Sequence, residues 1–313
     1  MTPQSRIYVA GHNGMVGKAI VRALNAQGYG KLVTVDRAHL DLTNQAATQH
    51  FFAKERPQVV FLAAAKVGGI KANIDFPAEF IYENLMIEAN VLAAAAEHGC
   101  ELMVMIGSSC IYPRECLQPM KEEYLLSGPL ESTNEGYALA KIAGIHLAQY
   151  LASAKRFEAL CPIPCNLYGP DNSFDPEYSH VLAALVRKFT EAEEHNLPSV
   201  ALWGTGKARR ELLHADDFAD ALLFLIERYH SSEIINVGFG EDASILELAQ
   251  IVAQEVGYTG DLKWHPAMPE GMPRKLLDIS RIRALGWAPK RNLHDGVAEL
   301  VAAFRQMRVA NAV

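Results

Sequence analysis

Short apolar runs alternate with longer stretches of helical periodicity along the first half of the chain. The apolar runs are rich in Val, Ile and Leu without polar alternation, and they are RIYVAG, KLVTVD, QVVFLAAA and ELMVMIGSS. The stretches between them have helical periodicity, and they are GMVGKAIVRALNAQG, LTNQAATQHFFAKER and PAEFIYENLMIEANVLAAAAEHG. Unalternated strands separated by helices predict an α/β fold whose parallel sheet is covered on both faces.

The second half of the chain is less regular. Four stretches predict helices, namely GYALAKIAGIHLAQYLASA, HVLAALVRKFTEAEEH, DDFADALLFLIERYH and SILELAQIVAQEVG. The run FEALCPIPCNLYGP predicts a strand that leads into a turn. Residues 259–290 are rich in Pro, Gly and other turn residues, which predicts loops and short elements of a smaller lobe.

Composition and charge narrow the classes of partner. The 313 residues are 50% hydrophobic, which is enough for a large core, and the net charge of −7 disfavours nucleic acid and anionic membranes as partners. No signal peptide precedes the first strand and no apolar stretch reaches the ~20 residues of a membrane span, so we expect a cytoplasmic protein. Five cysteines without zinc spacing predict neither a disulfide framework nor a metal site.

A glycine-rich turn follows the first predicted strand. VAGHNGMVG places Gly11, Gly14 and Gly17 between that strand and a helix. Glycine permits a tight turn and lets backbone N–H groups approach a pyrophosphate, to which the helix N-terminus adds partial positive charge. This context predicts dinucleotide binding.

The second predicted strand ends in an acid followed by a base. Asp36 can accept hydrogen bonds from ribose hydroxyls, whereas Arg37 can bind a 2′-phosphate. The two side chains favour NAD and NADP respectively, and the sequence alone leaves this choice open.

A tyrosine and a lysine lie four residues apart in STNEGYALAK. On a helix, Tyr137 and Lys141 share one face, and we expect the ammonium to lower the pKa of the phenol from its usual value near ~10. Ser108, at the end of the fourth predicted strand, can hydrogen-bond the same substrate oxygen. The three residues together indicate an acid–base site for carbonyl chemistry.

These motifs resemble those of the extended short-chain dehydrogenase/reductase family. Within it, nearly the whole chain is similar to the GDP-L-fucose synthase branch, through segments such as LAAAKVGGI, GSSCIYP, STNEGYALAKIAG, PCNLYGP, RRELLHADD and PRKLLD. The resemblance implies a Rossmann-type doubly wound parallel sheet with a smaller C-terminal substrate lobe, NADPH as reductant, a GDP-sugar substrate and a homodimer. It assigns 1–165 plus about 214–238 to the cofactor domain, and 166–213 and 239–313 to the substrate lobe.

The resemblance also implies roles for individual residues. Cys110 is expected to be the base and His180 the acid of a 3,5-epimerisation, and Tyr137 the proton donor at C4 with Lys141 and Ser108 in support. The residues implied in substrate binding are Ser108, Asn166, Lys188, Trp203, Arg210 and Lys275. Those implied in cofactor binding are Gly11, Asn13, Gly14, Met15, Val16, Gly17, Asp36, Arg37, Asp41, Leu42, Ala63, Ala64, Ala65, Lys141, Pro164, Asn166, Leu167 and His180.

Two departures from the family pattern concern the cofactor. Asn13 stands where an arginine is usual, and Asp36 where a neutral residue is usual. Both changes make the surroundings of a 2′-phosphate less positive.

Other functions remain as alternatives to the fucose synthase activity. The first is a related reductase or single epimerase that acts on a colitose-type or heptose-type GDP-4-keto sugar. A nucleotide-sugar 4-epimerase or dehydratase is a second rival, although Ser109 and Cys110 stand where a dehydratase has carboxylates. A non-catalytic dinucleotide sensor is disfavoured by the intact Tyr137, Lys141 and Ser108.

Overall fold

A six-stranded parallel sheet forms the centre of the molecule. We analysed a computed structural model that describes residues 1–311. Its sheet has the strand order β2-β1-β3-β4-β5-β9. The strands are β1 Ile7–Ala10, β2 Leu32–Val33, β3 Val59–Leu62, β4 Leu102–Met105, β5 Glu158–Pro164 and β9 Ile234–Val237. This topology confirms the predicted doubly wound α/β fold, because the order reverses beside β1 and parallel strands need crossover connections.

Ten α-helices cover this sheet and build much of the rest of the chain. They are α1 Met15–Ala26, α2 Gln45–Glu55, α3 Ile70–Asp75, α4 Pro77–Glu97, α5 Glu135–Ser153, α6 Val181–Glu194, α7 Ala215–Arg228, α8 Ile245–Val256, α9 Ser280–Ala284 and α10 Leu293–Asn311, counted over residues 1–311. The helices α4 and α5 pack against each other, and α1 packs against α7. The four long helices predicted in the second half correspond to α5, α6, α7 and α8.

Short strands outside the central sheet form two smaller sheets. One has the order β10-β8-β12, with β6 also paired to β8, and the other pairs β11 with β7. These strands are β6 Asn166–Tyr168, β7 Ser199–Trp203, β8 Arg209–His214, β10 Asp242–Ser244, β11 Asp261–His265 and β12 Arg274–Lys275. Region 259–290 therefore contains short elements, as predicted.

The buried apolar side chains form two clusters. The larger cluster contains the central strands and the inner faces of their helices, including Tyr8, Phe61 and Val104. The smaller cluster lies among α6, α8 and α10 and includes Phe189, Val252 and Phe304. The cavity described below lies where the central sheet meets the segments of the smaller cluster.

Some local expectations differ from the structure. KLVTVD forms only the two-residue β2, which is an edge strand with a single neighbour. FEALCPIPCNLYGP divides at Cys165 into β5 and β6, because the second piece leaves the central sheet and pairs with β8.

Among residues 1–311, no helix combines the length and apolar character needed to cross a membrane.

Candidate active site

A cavity of about 910 Å³ opens at the carboxyl ends of the central strands. Its walls include the segments that directly follow β1, β3, β4 and β5, together with α5, the start of α6 and residues near β12. The carboxyl ends of parallel strands meet at one edge of a sheet, where ligands bind in open α/β folds.

The glycine turn forms one end of this cavity. Gly11 has a φ of 82°, and a Cβ there would lie 2.6 Å from the backbone N of Ala64. A Cβ on Gly17 would lie 2.1 Å from the carbonyl oxygen of Gly11. Gly14 is the N-cap of α1, so the positive end of that helix faces the cavity. The turn is therefore a cradle that only glycine can form, as expected for a pyrophosphate site.

The acid and the base that follow β2 lie on the rim of the cavity. The Asp36 carboxylate accepts hydrogen bonds from the backbone N and the ring Nδ1 of His39, the latter at 2.6 Å. These bonds lower the pKa of Asp36, so it is ionised near neutral pH. Arg37 is largely exposed and pairs with Glu83 at 3.2 Å. Both side chains are thus available at one rim.

Tyr137 and Lys141 lie on one face of α5, as their spacing predicts. The Lys141 Nζ donates to the backbone oxygen of Ile106 at 3.0 Å and lies 5.8 Å from the centre of the Tyr137 ring. Ser108 follows β4, and its hydroxyl is near enough to the Tyr137 phenol to act on the pKa of that phenol. The three residues that the sequence brought together by motif also meet in space.

The expected pKa of Tyr137 is wrong in sign. Burial raises the pKa of this phenol to about 12, and Cys110 and Glu88, when they are ionised, add to the rise. Lys141 and the Ser108 hydroxyl act in the opposite direction without reversing it. Tyr137 is therefore protonated near neutral pH and suited to donate a proton.

The Cys110 thiol has two polar neighbours from distant parts of the chain. Lys275 Nζ lies 3.3 Å from its sulfur, and Asn134 Nδ2 lies 3.2 Å from it. Lys275 was expected from the resemblance to bind substrate, and the structure gives it this contact with the thiol. Asn134 was not singled out from the sequence, and its only signal was its place three residues before Tyr137.

His180 stands at the N-cap position of α6 and its side chain is open to the cavity. The protein around the ring desolvates it, and this effect, together with the charge of Lys275, lowers the pKa of the imidazole. The ring is therefore neutral in the resting site near pH 7.

The residues expected to bind the nucleotide end of the substrate divide into two groups. Asn166, Arg210 and Lys275 line the cavity, whereas Lys188 and Trp203 do not. Lys188 donates to the carbonyl oxygen of Ala201 at 2.9 Å, and Trp203 is partly exposed on β7. All the residues expected to contact the cofactor line the cavity.

Arg210 is buried, and within residues 1–311 its guanidinium hydrogen-bonds to neutral groups. Its guanidinium donates to the carbonyl oxygens of Arg209, Glu270 and Met272, at 2.8, 2.7 and 2.7 Å. Across residues 1–311, neither Arg210 nor Lys275 forms an ion pair with a carboxylate. The cavity wall therefore carries positive charge that an anionic ligand can neutralise.

A buried acid that the sequence analysis passed over lies behind the cavity wall, in contact with Lys141. Glu88 lies in the middle of α4, and its Oε1 is 3.0 Å from Lys141 Nζ. The signal in the sequence was an acidic residue inside the otherwise mainly apolar run LMIEANVLAAAA.

Known proteins are similar to this chain along most of its length. Residues 7–238 match the model of the NAD dependent epimerase/dehydratase family. The chain is 50% identical over 295 residues to GDP-L-fucose synthase 1 of Arabidopsis thaliana, an alignment that covers 94% of this chain and 91% of that protein.

Two solved structures resemble the whole chain. A GDP-L-fucose synthetase from Naegleria fowleri, bound to NADP, has a TM-score of 0.90 at 27% identity and covers 99% of this chain and 96% of its own. A GDP-mannoheptose C4 reductase from Campylobacter jejuni, with NADP bound, has a TM-score of 0.89 at 37% identity and covers 97% and 99%.

Proposed function

The chain belongs to the NAD dependent epimerase/dehydratase family, on the branch of the GDP-L-fucose synthases, and we propose that it converts GDP-4-keto-6-deoxy-D-mannose to GDP-L-fucose with NADPH as reductant. The observation that carries this proposal is that Cys110 and His180 line the same cavity as Tyr137, Lys141 and Ser108. A C4 reduction alone needs only the last three. A thiol and an imidazole beside them supply the additional base and acid that epimerisation requires.

The cavity suits a dinucleotide. The glycine cradle fits a pyrophosphate, and Arg37 at the rim can bind a 2′-phosphate. Structural relatives on this fold bind NADP, which supports NADP here. When bound, this cofactor supplies the hydride for the reduction.

The epimerisation follows from the acidity of protons beside a ketone. A carbonyl at C4 of the substrate acidifies the protons on C3 and C5. Cys110, as thiolate, removes such a proton, and His180, as imidazolium, returns one to the opposite face. Ser108 and Tyr137 donate hydrogen bonds to the C4 oxygen and stabilise the enolate.

Cys110 and His180 can reach their reactive protonation states without taking up a proton from solvent. A thiolate with an imidazolium carries as many protons as a thiol with a neutral imidazole, which is the form that the lowered pKa of His180 favours at rest. Transfer of one proton from Cys110 to His180 therefore produces the reactive pair.

The reduction uses the protonated tyrosine. Because the pKa of Tyr137 is raised to about 12, the phenol keeps its proton until the C4 oxygen gains negative charge. Tyr137 then donates that proton, while Lys141 stabilises the resulting phenolate.

The GDP end of the substrate is bound by positive charge in the wall. Arg210 can bind a diphosphate oxygen in bidentate geometry, and Lys275 can bridge the thiol and the substrate. Lys188 and Trp203 lie outside the cavity, so the proposal gives them no direct contact with the sugar.

Turnover in deuterated water tests the proposal. Purified protein receives GDP-4-keto-6-deoxy-D-mannose with NADPH or NADH, and nicotinamide absorbance and deuterium positions in the product are followed. We expect oxidation of NADPH with deuterium at both C3 and C5. Deuterium at one carbon or none would identify a partial epimerase or a C4 reductase, as the likeness to the heptose reductase allows.

Two cysteine variants test whether Cys110 is the base of the epimerisation. Cys110→Ser is expected to lower deuterium incorporation by roughly 100-fold or more, because a hydroxyl is a far weaker base than a thiolate. Cys116→Ser, which changes a cysteine outside the cavity, is expected to leave the rate unchanged. Equal rates in the two variants would remove Cys110 from the mechanism.

A further inference from the structure

The residue that begins helix α5 directs its side chain away from that helix. Asn134 is the N-cap residue of α5, yet its side chain makes no hydrogen bond to the first turn. Asparagine is favoured at this position because its side-chain oxygen usually accepts a hydrogen bond from a backbone N–H of that turn. The helix therefore gives up a stabilising contact that the residue could supply.

The amide of Asn134 contacts the thiol of the cavity instead. Its Nδ2 lies 3.2 Å from Cys110 Sγ, which is the one hydrogen bond of this side chain within residues 1–311. The buried Oδ1 of the same amide has no partner in that part of the chain. Both residues line the cavity, so the sulfur is the group that orients the amide there.

The sulfur of Cys110 thus lies between two N–H donors. The second donor is Lys275 Nζ, at 3.3 Å. An ammonium group has three donors and no acceptor, and the amide presents its NH₂ group to the sulfur. Donors of this kind favour the thiolate, which accepts hydrogen bonds, over the thiol.

The two donors differ in their effect on the second epimerisation residue. The charge of Lys275 lowers the pKa of His180, so this lysine favours the thiolate but opposes the imidazolium. The amide of Asn134 has no net charge, so it favours the thiolate without opposing protonation of His180. A base and an acid that must both be charged therefore gain from a neutral donor placed on the base alone.

We propose that Asn134 is a positioning residue for the epimerisation: it holds the Cys110 sulfur through its Nδ2 and stabilises the thiolate. The inference rests on the proposed function, which makes Cys110 the base. Aspartate or serine would cap α5 as well as asparagine does. Aspartate, however, offers no N–H and repels a thiolate, and the side chain of serine is shorter.

Asn134→Asp tests the proposal with little change in shape. The substitution removes the N–H donor and adds a negative charge, and both changes disfavour the thiolate, which is the form that iodoacetamide alkylates. The rate of Cys110 alkylation at pH 7, followed by mass spectrometry of the peptide that contains it, should fall about tenfold or more. This measurement needs no substrate.

Two other cysteines serve as internal standards in the same samples. Cys116 lies outside the cavity and reports general thiol reactivity, whereas Cys161 is fully buried and reports unfolding. We expect the alkylation rates of both to be the same in Asn134→Asp and in the unchanged chain. A slower reaction confined to Cys110 is therefore a local effect on its sulfur.

A second asparagine provides the matched control. Asn44 is the N-cap of α2, where its side chain does accept a hydrogen bond from the backbone N of Ala47, and it lies outside the cavity. Asn44→Asp makes the same chemical change at the same position of a helix. It is expected to leave the alkylation of Cys110 unchanged.

A second readout connects the thiolate to the reaction. Deuterium uptake at C3 and C5 of the GDP-4-keto sugar, measured without NADPH, should fall in Asn134→Asp by a factor similar to that for alkylation. The affinity for NADPH, measured by nicotinamide fluorescence, should stay the same, whereas general damage to the cavity would weaken it. If the unchanged chain takes up no deuterium, the proposed function fails, and the alkylation rates still decide the inference.

One result overturns the proposal directly. Folded Asn134→Asp that is alkylated at Cys110 as fast as the unchanged chain would show that the amide does not stabilise the thiolate. If that variant does not fold, Asn134→Leu decides, because it keeps a similar volume without a polar group. We expect about fivefold slower alkylation in Asn134→Leu, and an unchanged rate overturns the proposal equally.

Discussion

At the scale of single residues, the rim of the cavity carries charges of both signs where the cofactor's ribose is expected. Asp36 is ionised, because its hydrogen bonds from His39 lower its pKa, and Arg37 is largely exposed. A 2′-phosphate is attracted by the arginine and repelled by the carboxylate. The balance between these two side chains therefore sets how strongly the protein prefers NADPH over NADH.

Asp36→Ser is expected to increase the preference for NADPH. Removing the carboxylate relieves repulsion of the 2′-phosphate and removes an acceptor for the ribose hydroxyls of NADH. The ratio of kcat/KM for NADPH to that for NADH should rise roughly tenfold at low ionic strength and less at high salt. Steady-state kinetics with both cofactors measure the ratio. Asp261→Ser, an exposed acid on β11, is the control, and equal ratios in the two variants would contradict the role of Asp36.

At the scale of elements, the buried Glu211 links three segments of the chain by hydrogen bonds. Glu211 in β8 accepts hydrogen bonds from the backbone N of Gly240 at 2.7 Å and of Leu277 at 2.8 Å. These bonds hold the turn after β9 and the segment that directly follows β12, the strand in which Lys275 lies. The orientation of Lys275 toward Cys110 thus depends on a residue far from either in the chain.

Glu211 makes stability depend on pH. Burial raises its pKa from 4.5 to about 7, so the folded state retains a proton that the unfolded state loses. The stability it contributes is complete below pH 4.5 and is lost as the pH rises through 7. Urea unfolding of the unchanged chain and of Glu211→Gln measures this effect. The stability advantage of the unchanged chain over the variant should fall by about 3 kcal/mol between pH 4.5 and 8.

The comparison with a neighbouring residue isolates this effect. Glu241→Gln, at an exposed position beside the turn, should leave the pH dependence of the unchanged chain intact. Parallel pH curves for the unchanged chain and Glu211→Gln would show that Glu211 does not titrate in this range.

At the scale of the whole molecule, α4 and α5 each expose a largely apolar face. On each helix, residues at intervals of four, three and four positions fall on one face. The surface consists of Tyr82, Met86, Ala89 and Ala93 on α4 and Leu139, Ala143, His146 and Tyr150 on α5. Tyr82 is 63% exposed and Tyr150 is 69% exposed. We propose that a second copy of the chain covers this surface, which gives the homodimer expected from the resemblance.

Ala143→Glu is expected to separate the dimer. A carboxylate at the centre of two packed helix pairs would be buried without a partner, so association should weaken by at least 100-fold. Light scattering coupled to size-exclusion chromatography should report twice the chain's mass for the unchanged protein and a single chain's mass for the variant. Leu117→Glu, at a leucine that is 75% exposed elsewhere, should remain dimeric. A single chain's mass for the unchanged protein would contradict the proposal.

The sequence determined the features that depend on neighbouring residues. The alternation of apolar runs and helical stretches fixed the α/β class, because the period of the apolar pattern follows from local backbone geometry. The glycine turn, and the pairing of Tyr137 with Lys141, also follow from spacings within one or two turns of chain. The division into a cofactor domain and a substrate lobe, with the boundaries given above, stays a prediction.

Only the tertiary structure decided how distant residues meet. It brought Lys275 and Asn134 to Cys110, placed Glu88 behind Lys141, and left Lys188 and Trp203 outside the cavity. It also reversed the expected shift of Tyr137, because burial and distant charges outweigh the neighbouring ammonium. These contacts join segments far apart in the chain, and desolvation depends on everything that packs around a group. Local spacing therefore fixes which elements form, and the packing of those elements fixes the charge that each titratable group of the cavity carries.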